Sequence, residues 1–552
     1  MRAAYAEAQV IHTDWVQTWK ADERALHLQA AQAYEELYHL YLRGQLDEAG
    51  FKRRRAYYGV GSRQSPGRVQ VRLKALLGRL SVAQLRSAAD LAGRYTPRRA
   101  FHLTPRQNLN YYDVPLEDSP AFLRAAAEVG FGVAGAGGRA PANVTLPAGT
   151  GLLPGEAFDA TYAAAMLQRR FDRDEALRSL PGTFKVGFWR SLHDDESDSG
   201  NDLTVIPVRR LVGTRLRRGF RLLLGGGLGP RARVEALWKG FVAPQDLYAQ
   251  VRSVALHFKV RSHGPKPFNR LRHLLAEEGW PAFQHEVSLL AEQQPHDRAA
   301  LFFHRLPYGK AGASADGLPE WLHGFALPLA DAGSYLVKGQ PLAGMVSAVT
   351  AQGLAELVER YGRDELRITT RQQVWLPWVQ EPNLLAAYQE LQRLDLAGPF
   401  LGTFSACPGL GVCHNAAVGT PGLAREALNA LKEGLGSQMS RATAGLQLGA
   451  SACPNGCGRH RDSDIGFEGF NRPDGHQGKQ AWVKVYGRPP GSPDLAEALG
   501  SVPVERLPAL LLALVEDYQN SDATDLASYL RLPEGFASLQ KAVRGLGKDS
   551  AP

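Results

Sequence analysis

Four cysteines are the residues of this chain whose types and spacing say most about chemistry. They are the only cysteines among 552 residues, and all fall between positions 407 and 457. Cys407 and Cys413 are separated by five residues, Cys453 and Cys457 by three, and the two pairs by 39. An even count could close disulfides, but four thiols in two tight pairs within a long chain point first to a metal site. Both pairs are flanked by proline and glycine, as Cys-Pro-Gly-Leu-Gly-Val-Cys413 and Cys-Pro-Asn-Gly-Cys457. Four thiolates suit an iron–sulfur cubane, whose sulfides need backbone N–H donors close by, and glycine permits that approach. Structural zinc is the competing reading, although its C-x2-4-C pairs usually sit in small knuckle-like modules.

The elements that must position these loops can be read from periodicity. Leu26, Ala30, Ala33, Leu37 and Leu40 recur near the helical period, so residues 1 to 50 read as helical. A basic connector leads to Pro66-Gly67, and Val69 to Lys74 alternates as a strand. Ser81 is placed to cap a helix through Leu85, Ala89 and Leu91, and a second strand follows from Leu109 to Val114. The pattern then returns: Arg94-Tyr95 matches Arg360-Tyr361, and Thr104-x-Arg106-Gln107 matches Thr369-x-Arg371-Gln372. The chain therefore reads as two related halves, each a strand–helix–strand unit followed by a larger α/β segment. In the first of these segments, strands are expected at Leu203 to Val208 and Phe220 to Leu224.

Composition narrows the class. The content is 44% hydrophobic and 22% charged, without low-complexity tracts, as in an ordinary globular protein of several domains. The longest apolar runs are too short for a membrane span, and the N-terminal residues lack the apolar stretch of a signal peptide. A cytoplasmic, monomeric protein is the expectation. The formal net charge is +9, with clusters at Lys52 to Arg55, Arg209-Arg210 and Arg215 to Arg221. Each cluster alone reads as solvated surface; together they favour an acidic partner. The acidic stretch from His193 to Asp202 lacks the glutamate that a calcium loop needs at its twelfth position and reads as a solvated loop. The run Gly225 to Gly229 breaks the dinucleotide fingerprint at Pro230.

The cysteine layout, with Cys-Gly-Arg459 and Asp464-Ile-Gly-Phe467 behind it, resembles the siroheme-dependent nitrite and sulfite reductases. The resemblance runs from about residue 34 to about residue 490 and includes both half-repeats. It implies an α+β fold: two ferredoxin-like half-repeats related by pseudo-twofold symmetry, plus two larger α/β domains that bind siroheme and a [4Fe-4S] cluster. The implied boundaries are an N-terminal helical extension (1–66), half-repeat 1 (67–118), a siroheme-binding domain (119–318), half-repeat 2 (319–392) and a cluster- and siroheme-binding domain (393–552). Cys407, Cys413, Cys453 and Cys457 would ligate the cluster, and Cys457 would also bridge to the siroheme iron.

Siroheme carries many carboxylates and the substrates are oxyanions, so the site needs arginine forks and a lysine proton source. By resemblance Arg72, Arg106 and Lys185 fill these catalytic roles, and Asn143, Asn455 and Arg139 are expected at the cofactor. Arg371, the repeat mate of Arg106, is read as structural. Two positions depart from the family: Ala142 stands where Arg-Asn-Val is usual, with Arg139 as a candidate to compensate, and Thr183 stands for the first of two lysines. One fewer charge suits nitrite better than sulfite. The implied reaction is a six-electron reduction, nitrite to ammonia or alternatively sulfite to sulfide, with electrons from an acidic carrier of the ferredoxin kind. No nicotinamide or flavin motif is evident. Two rivals are a cluster protein without siroheme and a zinc-stabilised, basic nucleic-acid-binding protein. The latter predicts salt-dependent binding to nucleic acid, whereas the favoured reading expects neither nucleic acid nor membrane as a partner.

Overall fold

The computed structural model describes residues 2–63, 65–192, 196, 199–264, 269–294, 324–473, 478–492 and 494–548. The boundary expected at 318/319, the C-terminal tail beyond 548, and residues 193–195, 197 and 198 of the acidic stretch lie outside them.

The expected strand–helix–strand unit is present in both halves. In the first, Arg68–Lys74 and Asn108–Pro115 flank the helix Val82–Tyr95. Ser81 and Gln84 form a capping box at its start, so two N–H groups that the helix leaves open are satisfied by side chains. In the second, Ser334–Gly339 and Val374–Gln380 flank the helix Ala348–Tyr361, which Ser347 caps. The two helices pack on each other, burying Leu85, Ala88, Leu354 and Val358 in one shared core.

The halves also exchange strands. One five-stranded sheet runs in the order Val60–Ser62, Arg68–Lys74, Asn108–Pro115, Ala100–Leu103, Met345–Ser347, so its last strand comes from the second half. The other runs Ala326–Pro328, Ser334–Gly339, Val374–Gln380, Leu366–Ile368, Arg79–Leu80, with its last strand from the first half. Each swap begins at a tight turn in which a non-glycine residue holds positive φ, Leu77 at 53° and Ala343 at 52°. The glycine that follows each, Gly78 or Gly344, has a φ of 69°. A Cβ there would lie 2.7 Å from Gln107 Nε2 or 2.5 Å from Gln372 Nε2, so the turns accept only glycine.

Two α/β segments flank this core. The strands Val186–Phe188, Leu203–Val212, Arg215–Leu224 and Ala236–Val242 form a four-stranded sheet, with both strands expected here extended by four or five residues. The second segment has a five-stranded sheet in the order Thr403–Ala406, Gln447–Ser451, Ile465–Pro473, Lys479–Gly487, Glu497–Pro503. The N-terminal helix Arg2–Leu42 is fastened to the first half through its buried Glu23, which Arg173 meets at 2.6 Å, and His27 beside it adjoins the buried pair of Lys74 Nζ and Asp172, 2.5 Å apart. Glu23, His27 and Asp172 are close enough to hold a metal ion, but the two cations already neutralise the carboxylates. No helix among the described residues is long and apolar enough to cross a membrane.

Candidate active site

The cysteine loops spring from adjacent parallel strands. Thr403–Ala406 ends at Cys407 and Gln447–Ser451 ends two residues before Cys453, with Ala406 paired to Ala450. Ligand sites in such sheets form beyond the carboxyl ends of the strands, where these loops lie. Gly458 makes the close approach possible, because a Cβ there would stand 1.8 Å from Ala450 O. Cys407 Sγ accepts a hydrogen bond from Ala452 N at 3.2 Å, the kind of N–H donor that a cluster sulfur requires.

Burial and the neighbouring Cys457 push the Cys407 thiol up to about 11. Cys453 is raised by burial and feels Cys457 and Cys413 as like charges. Among the described residues no three of the four sulfurs lie within 4.8 Å of one another. A tetrahedral zinc ion would draw its sulfurs to about 3.8 Å apart. Burial favours the protonated thiols of Cys407, Cys453 and Cys457, and a metal centre would displace those protons on binding.

Cys457 is exposed to solvent yet largely surrounded by protein, the combination found at the floor of a cleft. Burial raises its thiol, Cys413 adds to that, and the charges of Lys185, Arg72 and Arg270 oppose it. One sulfur thus feels both a fellow thiol and three cations. The glycine run Gly225 to Gly229 packs on this turn: a Cβ on Gly456 would meet Leu228 O at 2.6 Å, and one on Gly229 would meet Asn455 O at 3.4 Å. Arg272 braces the run by donating to Pro230 O at 2.7 Å and Arg231 O at 3.1 Å.

The structure distributes the expected residues unevenly. Arg72 is fixed by Asn110 Oδ1 at 3.0 Å and acts on Cys457, and Lys185 stands half-buried on the same side. The backbone N–H of Lys185 donates to Asp202 Oδ2 at 2.9 Å. Arg106 turns its guanidinium into the protein, to Asn143 O at 2.6 Å, Val186 O at 2.7 Å and Asn201 Oδ1 at 2.5 Å. Asn143 returns the contact through Nδ2 to Arg106 O at 3.1 Å, and its buried Oδ1 has no partner among the described residues. The Asn455 backbone N–H donates to the Cys453 sulfur, while its side chain is exposed. Arg139 is exposed, with no partner for its guanidinium among the described residues. Arg371 is buried and donates to Asp462 O at 2.8 Å, and it is not among the charges that act on Cys457. Arg270 and Arg272 lie in no recognisable motif, the alternating arginines of Asn-Arg-Leu-Arg272 being the only signal, and Asp202, expected in a solvated loop, is fully buried, as is Asn201, because both pack under the cation-bearing wall.

A pseudo-symmetric double ferredoxin-like core carrying a four-thiol loop pair beside three cations defines a redox enzyme built around an iron–sulfur centre. Residues 62–129 and 328–394 match the nitrite/sulfite reductase ferredoxin-like half domain, and residues 137–295 and 397–534 match the nitrite and sulphite reductase 4Fe-4S domain. The chain belongs to the nitrite/sulfite reductase family. It is 25% identical over 477 residues to an assimilatory ferredoxin-dependent nitrite reductase of Haloferax mediterranei, covering 81% of this chain and 79% of the relative. It is 27% identical over 475 residues to a chloroplastic ferredoxin–nitrite reductase of Oryza sativa, with 82% and 75% covered. A ferredoxin sulfite reductase of Mycobacterium tuberculosis is 25% identical over 416 residues, with 74% and 71% covered. Among solved structures, the Mycobacterium tuberculosis NirA protein superposes with a TM-score of 0.76 at 21% identity, covering 92% of this chain and 95% of that one, a likeness of fold.

Proposed function

We propose that this enzyme reduces a small oxyanion by six electrons at a siroheme coupled to a [4Fe-4S] cluster, taking nitrite to ammonia in preference to sulfite to sulfide. The position of Cys457 carries this reading: it is exposed, it acts on the other thiols, and Lys185, Arg72 and Arg270 stand near it. The donor set fits the cofactors. Cys407, Cys413, Cys453 and Cys457 would hold the cluster, and Cys457 would also hold the siroheme. When bound, that pair supplies the electrons and the iron at which the oxyanion is reduced.

The chain's own contribution is binding, orientation and protons. Arg72, stiffened by Asn110, offers a fork to an oxyanion. Lys185, anchored through its backbone to Asp202, is a point charge and proton donor for the oxygens that leave as water. Arg106 and Asn143 hold the wall between Asn143 and Val186 in place. The neutral Ala142 and Thr183 at two family positions support nitrite, which carries a single charge. A ferredoxin-type acidic protein suits the formal net charge of +9 as electron donor.

The test is the visible spectrum of protein made in cells supplied with iron and siroheme precursors, with iron, sulfide and zinc assayed on the same sample. A chlorin band together with cluster iron and ferredoxin-driven loss of nitrite is expected. A brown protein without the band, or a colourless zinc protein, would overturn the assignment.

A further inference from the structure

The two positions at which this chain lacks the family's basic residues lie side by side. Ala142 N donates to Phe184 O at 2.9 Å, which places residue 142 against the segment that contains Thr183. A third strand of chain is clamped on the same wall. Asn269 Nδ2 donates to Pro181 O at 2.7 Å, and the Asn269 carbonyl approaches so closely that a Cβ on Gly182 would stand 1.9 Å from it. The next residue is Arg270. Its Nη2 lies 2.8 Å from Asp202 Oδ2, the same oxygen that accepts the Lys185 N–H at 2.9 Å. Its Nε is buried and has no hydrogen-bond partner among the described residues. Asp202 offsets one charge, but Arg272 and Arg233 stand nearby, so the wall remains net positive.

We infer that Arg270 is an oxyanion-binding residue of the cleft, supplying a guanidinium to the wall that Ala142 and Thr183 leave without one. The inference rests on the proposed function. A half-buried guanidinium tied to one carboxylate oxygen keeps donors in a fixed orientation, which favours a second, planar anion. That anion is a carboxylate or a small oxyanion, and its two sources are the peripheral carboxylates of siroheme and the substrate itself.

Arg270→Gln distinguishes them. If the carboxylates are the partner, the chlorin absorbance per cluster sulfide falls several-fold. If the substrate is, siroheme content holds and KM for nitrite rises by about tenfold with kcat little changed, the weight of one charge-assisted hydrogen bond. Siroheme content and KM both within twofold of the wild type would overturn the proposal. Should this variant fail to fold, Arg270→Lys keeps the ion pair with Asp202 and loses only the fork. It is expected to bind one of the two anions several-fold more weakly, and equality with the wild type would again overturn the inference. Failure of the functional reading looks different, because the wild-type protein itself would then lack the chlorin band and nitrite turnover.

Discussion

Gln107 and Gln372 make the same three-bond clasp on opposite halves of the molecule. Gln107 donates through Nε2 to Leu146 O at 2.7 Å and Ile368 O at 2.8 Å, and accepts Leu146 N at 3.0 Å. Gln372 donates to Ala406 O at 2.9 Å and Leu103 O at 2.6 Å, and accepts Ala406 N at 2.7 Å. Both hold positive φ, 56° and 65°. Each glutamine thus ties its own half to the other half and to the α/β segment beyond, but only one of those segments carries cysteines: Ala406 precedes Cys407.

That asymmetry separates two substitutions. Gln107→Ala and Gln372→Ala each strand buried backbone groups, at about 1–3 kcal/mol for each group left unsatisfied. Both should lower the midpoint of thermal unfolding. Gln372→Ala should in addition lower acid-labile sulfide per chain, whereas Gln107→Ala should leave it near the wild-type ratio. Equal sulfide in the two variants would show that the clasp does not set the first cysteine loop.

Much of this was legible in the sequence because it rests on periodicity and spacing. The matched Thr-x-Arg-Gln segments exposed the repeat, and Ser81 announced its helix. The strand exchange was not legible, since Arg79–Leu80 is two residues long and its pairing with Leu366–Ile368 is fixed by a turn rather than by alternation. The cysteines could be grouped from spacing alone, but the surroundings of Cys457 could not. Arg106 and Arg72 look alike in sequence. Only the fold shows one guanidinium turned into the protein and the other acting on the cleft sulfur.

The lysine at the cleft should matter to turnover more than to assembly. Lys185→Met removes a charge and a proton donor while its backbone bond to Asp202 survives. General acid catalysis is worth about 10²- to 10⁴-fold, so kcat with nitrite should fall by at least about 10²-fold while chlorin absorbance is retained. Steady-state turnover with reduced ferredoxin, normalised to siroheme, checks this. Retention of kcat would assign proton delivery to another group.

Mild acid should loosen the molecule through two buried imidazoles. Burial holds His27 and His102 down at about 4, so both are neutral when folded and gain protons more readily when unfolded. Their contribution is complete above the ordinary value of 6.5 and is lost as pH falls through 4. Between pH 7 and pH 5 each should cost about 2 kcal/mol. His27→Gln should therefore flatten the fall of the urea midpoint with acidification, and protection of residues 21–42 from hydrogen exchange should become less pH-dependent. An unchanged slope would locate the acid sensitivity elsewhere.

The cysteine turn leaves no room at Gly458. A methyl group there would meet Ala450 O at 1.8 Å, the Ala450 carbonyl carbon at 2.5 Å and Cys407 N at 3.0 Å, all of them backbone atoms that cannot rotate aside. Relief requires the turn after Cys457 to move off the strand Gln447–Ser451 and away from Cys407, which separates the two cysteine loops. Gly229 offers the control, because its nearest neighbour, Asn455 O, is 3.4 Å away, an ordinary contact. Gly458→Ala should therefore yield protein with little acid-labile sulfide and no chlorin band, and Gly229→Ala should load both cofactors. Normal sulfide in Gly458→Ala would mean that the turn can shift without opening the thiol set, and the four sulfurs would then be held by their loops more than by the approach of Gly458 to the strand.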